Sequence, residues 1–214
     1  FAVASLERAQ AANKNGWFAW EITPMAIKAG KDERFMEMDE SPFKANFEKI
    51  PTLKPAFKKD GTITAANSSS ISDGGAALVM MRRSMAEKLG LAPLAIVAGH
   101  STHAQEPGWF TTAPVGAIKK LYDKTGWSAG TADLYEINEA FAVVTMAAMK
   151  EHGLPHDKVN IHGGACALGH PIGASGARIL VTLIGALRKT QGKRGIASLC
   201  IGGGEATAMA IELV

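Results

Sequence analysis

The second half of the chain alternates between short apolar segments and longer amphipathic ones, and this alternation constrains the fold most strongly. Strand-like patterns fall at residues 95–99, 133–137, 159–161, 196–201 and 206–214. Helix-like patterns lie between them at residues 114–124, 138–152 and 174–190. Strands that alternate with helices and end in a hairpin predict a layered α/β domain with a mixed five-stranded sheet.

The first half of the chain is less regular. Its patterns predict a helix at residues 1–15, an extended segment at residues 17–27 and a surface excursion at residues 28–59. They then predict a short strand at residues 62–66, a small-residue loop at residues 67–75 and a charged helix at residues 82–89. The excursion is predicted because this segment combines a run of charges with three prolines. We place a domain boundary near residues 91–93.

Composition excludes several classes of protein. With 214 residues, of which 47% are hydrophobic, the chain can bury a sizeable core. The net charge of +3 is spread thinly, which argues against a nucleic-acid-binding surface. Two cysteines are too few for a disulfide framework and favour a reducing compartment. Since no apolar run reaches the roughly 18 residues of a membrane span, we expect a soluble cytoplasmic protein without nucleic-acid or membrane partners.

The glycine-rich loop at residues 162–176 offers a histidine for chemistry. His170 stands just ahead of a predicted helix, whose N-terminal dipole disfavours a cationic imidazole and so helps to keep it a neutral base or donor. The loop's five glycines allow its backbone to approach another group closely. The alternative is a glycine-rich helix entry with an incidental histidine.

Cys200 ends a predicted strand and is followed by Gly202, Gly203 and Gly204. The backbone N–H groups of such a turn can stabilise an oxyanion, and a nearby base could make the thiol a proton shuttle. An ordinary thiol, with a pKa of about 8.5, needs that help at neutral pH. The alternative is a buried cysteine beside a tight hairpin turn.

Asn138 directly follows another predicted strand and opens the sequence Asn-Glu-Ala-Phe. The simplest interpretation is a helix N-cap, which contributes about 1 kcal/mol. A second role, holding a water or a polar substrate atom, is compatible with that position. All three loops follow strands of one α/β layer, so their side chains could meet at one edge of the sheet.

These three segments together resemble the thiolase family, in its acetyl-CoA acetyltransferase branch. The motifs are Asn-Glu-Ala-Phe at residues 138–141, Gly-His-Pro-x-Gly-x-Ser-Gly at residues 169–176 and Cys-x-Gly-Gly-Gly at residues 200–204. Asn138 precedes His170 by 32 residues and His170 precedes Cys200 by 30, which suits the family. The resemblance covers essentially the whole chain.

The resemblance implies a thiolase-like layered fold with helices on both faces of the sheet. Residues 1–66 would form the end of the loop domain and a connection, residues 67–92 the last elements of the N-terminal half, and residues 93–214 the complete C-terminal domain. Thiolases are roughly twice this length, and since Phe1 opens a predicted amphipathic helix directly, we expect no signal peptide there. We therefore expect a C-terminal portion that lacks the cysteine that becomes acylated.

The implied reaction is a reversible Claisen condensation of two acetyl-CoA molecules, or thiolytic cleavage of a 3-ketoacyl-CoA. The family assigns stabilisation of the enolate oxygen to His170 together with a water held by Asn138. His170 would also activate the nucleophile, Cys200 would be the acid/base at carbon, and the Gly202 N–H would line an oxyanion hole. Neither Cys166 nor Cys200 can replace the acylated cysteine, and we interpret Cys166 as a packing residue.

The resemblance also implies contacts with coenzyme A. The positions concerned are Ser69, Ala65, Phe57, Ala140, Phe141 and Lys44, the last being the nearest substitute for an arginine found in relatives. Phe110 would border the acyl pocket. CoA thioesters would be substrates and no cofactor is expected. His100 and His103 lack a further ligand at suitable spacing, so no metal site is expected either. The remaining implied partners are the missing N-terminal half and, in a homodimer or homotetramer, further copies.

Three other interpretations remain open. A non-catalytic CoA- or lipid-binding relative could keep the fold, although it would not need an acid/base thiol at residue 200. A ketoacyl synthase would show a second histidine in place of Cys200. A cysteine hydrolase would carry its nucleophile at a helix start, whereas Cys200 precedes a glycine turn.

Overall fold

A computed structural model describes residues 1–30 and 32–214. Its helices are α1 (Ala2–Lys14), α2 (Ser41–Lys44), α3 (Arg83–Lys88), α4 (Ala113–Thr125), α5 (Ala142–His152), α6 (Ala165–Leu168) and α7 (Ser175–Thr190). Its strands are β1 (Met25–Ala29), β2 (Asp32–Met36), β3 (Ala95–Ala104), β4 (Leu134–Ile137), β5 (Arg194–Ile201) and β6 (Glu205–Leu213). Short 3-10 turns occupy Phe47–Thr52, Ala65–Asn67, Pro107–Thr112 and His156–Lys158.

The second half of the chain forms the predicted mixed sheet, in the order β3-β6-β5-β4. β6 pairs antiparallel with both β3 and β5, while β4 pairs parallel with β5. The parallel pair is connected through α5, α6 and α7, as expected for strands whose ends lie far apart along the chain. The sequence pattern predicted a mixed sheet, and the structure gives its strand order and places β4 beside β5.

The predicted fifth strand, at residues 159–161, is wrong as a regular strand. Val159 makes only an isolated parallel bridge to Tyr135. The next residue, Asn160, has a φ of +48°, which ends the extended conformation. The Asn160 side chain then continues the pairing in place of the backbone, because it both donates to the Ile137 carbonyl and accepts from the Ile137 N–H at 2.8 Å.

Helices cover both faces of the sheet, as the resemblance implied. α4 and α5 pack on one face, where Tyr135 and Ile137 of β4 are buried. α7 packs on the other face, where Leu183 and Leu187 surround Leu134. Because successive residues of a strand point to opposite faces, the odd-numbered residues of β4 face α4 and α5 and the even-numbered ones face α7.

The first half of the chain differs from its predicted pattern at two places. β1 and β2 form an antiparallel hairpin within a region that was predicted to be extended and then irregular. The predicted strand at residues 62–66 is wrong, because Thr64 caps a 3-10 turn there and exchanges hydrogen bonds with Asn67. The charged helix is confirmed as α3. The proposed domain limits at 66/67 and 92/93 stay a prediction.

An apolar groove of about 860 Å³ lies between α7, the start of β3 and the segment at residues 77–81. This segment has no regular structure, and Val79 and Met80 are 90% and 62% exposed. In the described residues, no helix is both long and apolar enough to cross a membrane.

Candidate active site

Two of the predicted site residues lie at one edge of the sheet, where the parallel strands β4 and β5 end. Ile137 pairs with Ser198, and the Asn138 N–H continues this ladder by donating to the Ser198 carbonyl at 2.9 Å. Cys200 lies two residues beyond Ser198 on β5. Since neighbouring strands are about 4.8 Å apart, the backbones of Asn138 and Cys200 are close neighbours at this edge.

Asn138 is buried but is not a helix cap. α5 begins only at Ala142, and its N-cap position is Phe141, so the N-cap interpretation is wrong. The Asn138 amide nitrogen Nδ2 instead lies 3.3 Å from Nε2 of His170. Its Oδ1 is buried and has no hydrogen-bond partner among the described residues. A buried polar atom without a partner costs free energy unless a water or ligand satisfies it.

The hydrogen bonds around His170 favour one tautomer of the ring. Ser175 donates its hydroxyl proton to the Pro171 carbonyl at 3.0 Å. The same oxygen lies 2.6 Å from Nδ1 of His170 and, with its proton already used, accepts from that nitrogen. This arrangement favours the neutral ring with its proton on Nδ1, so that the lone pair of Nε2 faces the Asn138 amide.

The pKa of His170 is lowered from its ordinary value. Burial is the main cause, and the positive charge of Arg178 on α7 is the second. We expected a neutral imidazole from the dipole of the following helix. The structure gives the same direction with different causes, which are desolvation and one named cation.

Cys200 is 7% exposed, and burial raises the pKa of its thiol to about 11. At neutral pH the thiol is therefore protonated and can act as a proton donor. The turn behind it requires glycine at Gly204, which has a φ of +93° and whose added Cβ would overlap the Gln105 carbonyl oxygen. Gly202 is exposed on the same turn, with open space around it.

The loop at residues 68–72 joins the two other motifs. Ser69 donates through both its N–H and its hydroxyl to the Ala140 carbonyl, each at 3.0 Å. One residue further, the Ser70 carbonyl accepts from the His170 N–H at 3.0 Å. Gly169 has a φ of +89°, and an added Cβ there would overlap the Ser72 hydroxyl. The loop at residues 68–72 thus contacts the backbone of both Ala140 and His170.

Three aromatic residues predicted from the family meet at the border of this site. The Phe141 ring lies 6.1 Å from that of Phe57 and 6.4 Å from that of Phe110, in edge-on orientations. Phe57 is 76% exposed, so the cluster is open to solvent on one side. Edge-on aromatic pairs at these distances are favourable, and they leave ring faces available for an apolar ligand.

Comparisons with known proteins identify the family of this chain. Residues 91–213 match the family described as "Thiolase, C-terminal domain", and residues 1–84 match "Thiolase, N-terminal domain". The chain belongs to the thiolase family. The resemblance inferred from the three motifs is confirmed.

Curated thiolases of the acetyl-CoA acetyltransferase type are similar over nearly all of this chain. Acetyl-CoA acetyltransferase 2 of Arabidopsis thaliana is 48% identical over 217 residues, covering 100% of the chain and 54% of the relative. Cytosolic acetyl-CoA acetyltransferase of Mus musculus is 48% identical over 214 residues, covering 99% and 54%. The chain therefore spans about half the length of the curated relatives that it matches.

Solved thiolase structures show the same fold. The acetyl-CoA acetyltransferase of Bacillus anthracis superposes with a TM-score of 0.95 at 44% identity. Human mitochondrial 3-ketoacyl-CoA thiolase superposes with a TM-score of 0.90 at 36% identity. Each match covers 100% of this chain and 54% of the solved chain. The predicted thiolase-like fold class is confirmed.

Two of the predicted CoA contacts lie apart from the histidine in this thiolase chain. Lys44 and Ala65 line a cleft of about 360 Å³ that is also bordered by Cys166. His170 and Cys200 are not among its lining residues. Lys44 is exposed and pairs at 3.2 Å with Glu40, the N-cap residue of α2, so its charge is partly balanced.

Glu139 is a buried residue that connects several elements next to the candidate site, and the sequence analysis did not predict this role. Its carboxylate is 0% exposed and accepts three hydrogen bonds, from Ser5 Oγ at 2.7 Å, Asn160 Nδ2 at 2.8 Å and the Cys166 N–H at 3.1 Å. An added Cβ at Gly164 would overlap this carboxylate. Glu139 thus joins α1, the end of β4 and the loop before His170. Only its position inside the Asn-Glu-Ala-Phe motif could have signalled this role.

Cys166 packs in the same region. Burial is the main cause that raises the pKa of its thiol, and the neighbouring Glu139 adds to the effect. Its Sγ lies 3.8 Å from the Glu139 carbonyl oxygen. These surroundings disfavour a thiolate and agree with the packing interpretation. In the part of the chain that the structure describes, no cluster of three or more His, Cys, Asp or Glu side chains could hold a metal ion.

Proposed function

We propose that the complete protein is an acyl-CoA C-acyltransferase that condenses two acetyl-CoA molecules to acetoacetyl-CoA, or cleaves 3-ketoacyl-CoA in the reverse direction. The observation that supports this most is the line of contacts from Asn138 through the His170 ring to Ser175. This line presents a neutral, Nε2-accepting imidazole beside an amide oxygen that has no partner among the described residues. Claisen chemistry needs both a base for a thiol and donors for an enolate oxygen.

We assign the first half-reaction to His170 and Cys200. Nε2 of His170 takes the proton of a nucleophilic thiol, which attacks the carbonyl carbon of the first thioester. The bond from that carbon to the CoA sulfur breaks, and the departing CoA thiolate takes the proton of Cys200. The raised pKa of Cys200 favours this starting form, because the thiol holds its proton until the leaving group forms. The Gly202 N–H is our candidate donor to the carbonyl oxygen of this intermediate.

In the second half-reaction the Cys200 thiolate removes a methyl proton from the second acetyl-CoA. The protonated His170 and a water held by Asn138 stabilise the resulting enolate oxygen. The enolate carbon then attacks the acyl-enzyme carbonyl and displaces the nucleophilic sulfur, which recovers its proton from His170. All protons are returned, so His170 and Cys200 end as they began.

We propose that the nucleophilic cysteine lies outside the 214 residues of this chain. Burial raises the pKa of both thiols that the chain contains, and neither is a favoured nucleophile at neutral pH. The curated relatives are about twice as long as the chain, which leaves room for this group. The apolar groove beside α7 is our candidate surface for packing against the remaining half.

Substrate contacts follow from the loop and the aromatic cluster. We assign the pantetheine arm of CoA to Ser69, Ala140 and the rings of Phe57 and Phe141, with Ala65 and Lys44 further along the bound molecule. We assign Phe110 to the border of the acyl end, since its ring packs edge-on against Phe141. A bulky residue here favours a short acyl chain.

Assembly and location belong to the same proposal. We propose a homodimer or homotetramer in the cytoplasm. The location is supported by the 48% identity to the mouse enzyme named as cytosolic. The alternative function, a non-catalytic CoA- or lipid-binding protein, is favoured by the open aromatic cluster but leaves the Cys200 thiol without a use.

The proposed function is tested by thiolysis of acetoacetyl-CoA in the presence of free CoA. The 214-residue chain alone should not release acetyl-CoA above the rate in buffer. The same chain joined to the N-terminal half of Arabidopsis acetyl-CoA acetyltransferase 2 should release it. A folded chimera without activity would contradict the catalytic assignment, and turnover by the chain alone would contradict the assignment of the nucleophile.

A further inference from the structure

Gln105 lies where two parts of the candidate site meet. It directly follows β3, and its N–H donates to the Gly204 carbonyl at 2.9 Å. Its own carbonyl oxygen occupies the space that a Cβ on Gly204 would need. The backbone of Gln105 therefore packs tightly against the glycine turn, which we define as residues 202–204 and which directly follows the strand that carries Cys200.

The side chain of Gln105 reaches the second part, the Phe110 turn, which we define as the 3-10 turn Pro107–Thr112. Its amide nitrogen Nε2 donates to the Trp109 carbonyl at 2.6 Å and to the Thr112 hydroxyl at 2.8 Å. The Thr112 hydroxyl in turn donates to the same carbonyl at 3.0 Å. These hydrogen bonds join the residues before and after Phe110 to one side chain.

His103 favours one orientation of the Gln105 amide. Its Nε2 lies 3.1 Å from Oε1 of Gln105. Since an amide oxygen only accepts hydrogen bonds, His103 donates from Nε2 and leaves the amide nitrogen of Gln105 for the Phe110 turn. The His103 ring has room there because Gly116 on α4 lacks a Cβ, which would overlap the ring. The amide of Gln105 is thus bound at both its oxygen and its nitrogen.

The Phe110 turn depends on these hydrogen bonds for its position. Every residue of the turn is exposed or half-buried, and Trp109 is 61% exposed. A segment with few buried apolar contacts opens easily unless polar contacts hold it. The bond from Gln105 therefore decides where the Phe110 ring lies relative to the glycine turn.

We propose that Gln105 is a positioning residue that sets the acyl-chain specificity, because it holds the Phe110 turn against the glycine turn behind Cys200. This inference rests on the proposed function, in which Phe110 borders the acyl end and Cys200 reacts beside the substrate carbonyl. With the two turns joined, the space between them stays narrow and favours the acetoacetyl group over longer 3-ketoacyl groups. Gln105 acts through Phe110 and does not itself contact the substrate.

The test compares two substrates in the chimera with the Arabidopsis N-terminal half. Thiolysis of acetoacetyl-CoA and of 3-ketohexanoyl-CoA, each with free CoA, gives a ratio of kcat/KM values in which the shared CoA moiety cancels. Gln105→Met keeps the size of the side chain but removes its three hydrogen bonds. It should lower the preference for acetoacetyl-CoA by roughly 3- to 10-fold, a part of the roughly 10- to 200-fold that a methylene group is worth in a pocket.

Gln10→Met is the matched control, because the Gln10 amide also donates to a backbone carbonyl, that of Pro42, at 2.8 Å. It should leave the ratio unchanged. Thr112→Val removes one partner of Gln105 and should shift the ratio in the same direction by less, while Thr112→Ser keeps the hydroxyl and should not shift it. An unchanged ratio in Gln105→Met, or an equal shift in Gln10→Met, would overturn the proposal.

Hydrogen exchange reads the same link without turnover. In the folded chimera, Gln105→Met should speed amide exchange in the peptide that covers residues 107–112, and unchanged exchange there would overturn the proposal. If Gln105→Met does not fold, Thr112→Val takes its place in both measurements. A parent chimera that folds but does not cleave acetoacetyl-CoA contradicts the proposed function. A parent that cleaves it, with the same ratio in every variant, contradicts only the role of Gln105.

Discussion

Cys200→Ser, placed in the chimera with the N-terminal half, is expected to lower the rate of acetoacetyl-CoA synthesis by roughly 10²–10⁴-fold, the usual contribution of a general acid–base group. A serine hydroxyl is a far weaker acid than a thiol and cannot form the base that removes the methyl proton. Formation of the acyl-enzyme should fall much less, because a proton for the departing CoA can come from solvent. The two rates are measured separately, by acetoacetyl-CoA formation and by labelling of the protein with radioactive acetyl-CoA.

Cys166→Ala is the matched control, since it removes the other thiol of the chain. The backbone N–H of Cys166 donates to the Glu139 carboxylate, and the substitution keeps that group and loses only the long Sγ contact to the Glu139 carbonyl. Both rates should stay within about twofold of the unsubstituted chimera, since a partly buried packing contact is all that is lost. Equal losses of acylation and condensation in Cys200→Ser would show that this thiol is not the acid/base at carbon.

Glu139→Ala is expected to destabilise the chain by on the order of 3–5 kcal/mol. The substitution leaves Ser5 Oγ, Asn160 Nδ2 and the Cys166 N–H without their acceptor in a place that water reaches poorly. Urea denaturation followed by circular dichroism measures the free energy of unfolding. A loss of this size is a large part of the stability of an ordinary domain.

Glu151→Ala serves as the control for this prediction, because Glu151 is exposed near the end of α5. Its removal should change the free energy of unfolding by less than about 0.5 kcal/mol. If the two variants unfold at the same urea concentration, the carboxylate of Glu139 does not join α1 to the loop before His170 in the way described.

The sequence could predict that Asn138 and Cys200 lie at one edge of the sheet, because the local apolar pattern and the strand topology agree there. Asn138 and Cys200 each follow an apolar run, and short runs that alternate with helices predict parallel neighbours. The N-cap interpretation of Asn138 failed because cap preference is a local rule, whereas α5 begins only at Ala142. Contact with His170, 32 residues further along the chain, decides the place of the Asn138 side chain.

Glu139 and Asn160 were beyond sequence reasoning for a physical reason. A glutamate after a strand is usually solvated, and only contacts across the chain bury it. Its partner Ser5 lies 134 residues away in α1. Asn160 similarly interrupts the strand predicted at residues 159–161. Its side chain, in place of its backbone, makes the hydrogen bonds to the neighbouring strand. Periodicity reports which face of an element is apolar, but it does not report which polar groups find partners inside.

The central claim is that the side chains of residues 170 and 200 face one substrate carbonyl, and a short thiol-bridging reagent tests it most directly. In the double variant His170→Cys with Cys166→Ala, dibromobimane should link residue 170 to Cys200, as seen by fluorescence and by peptide mapping. Thr190→Cys with Cys166→Ala, at the far end of α7, should give no link. Linkage confined to the residue 170 variant is the result we predict, and modification of each thiol without a bridge would contradict the account.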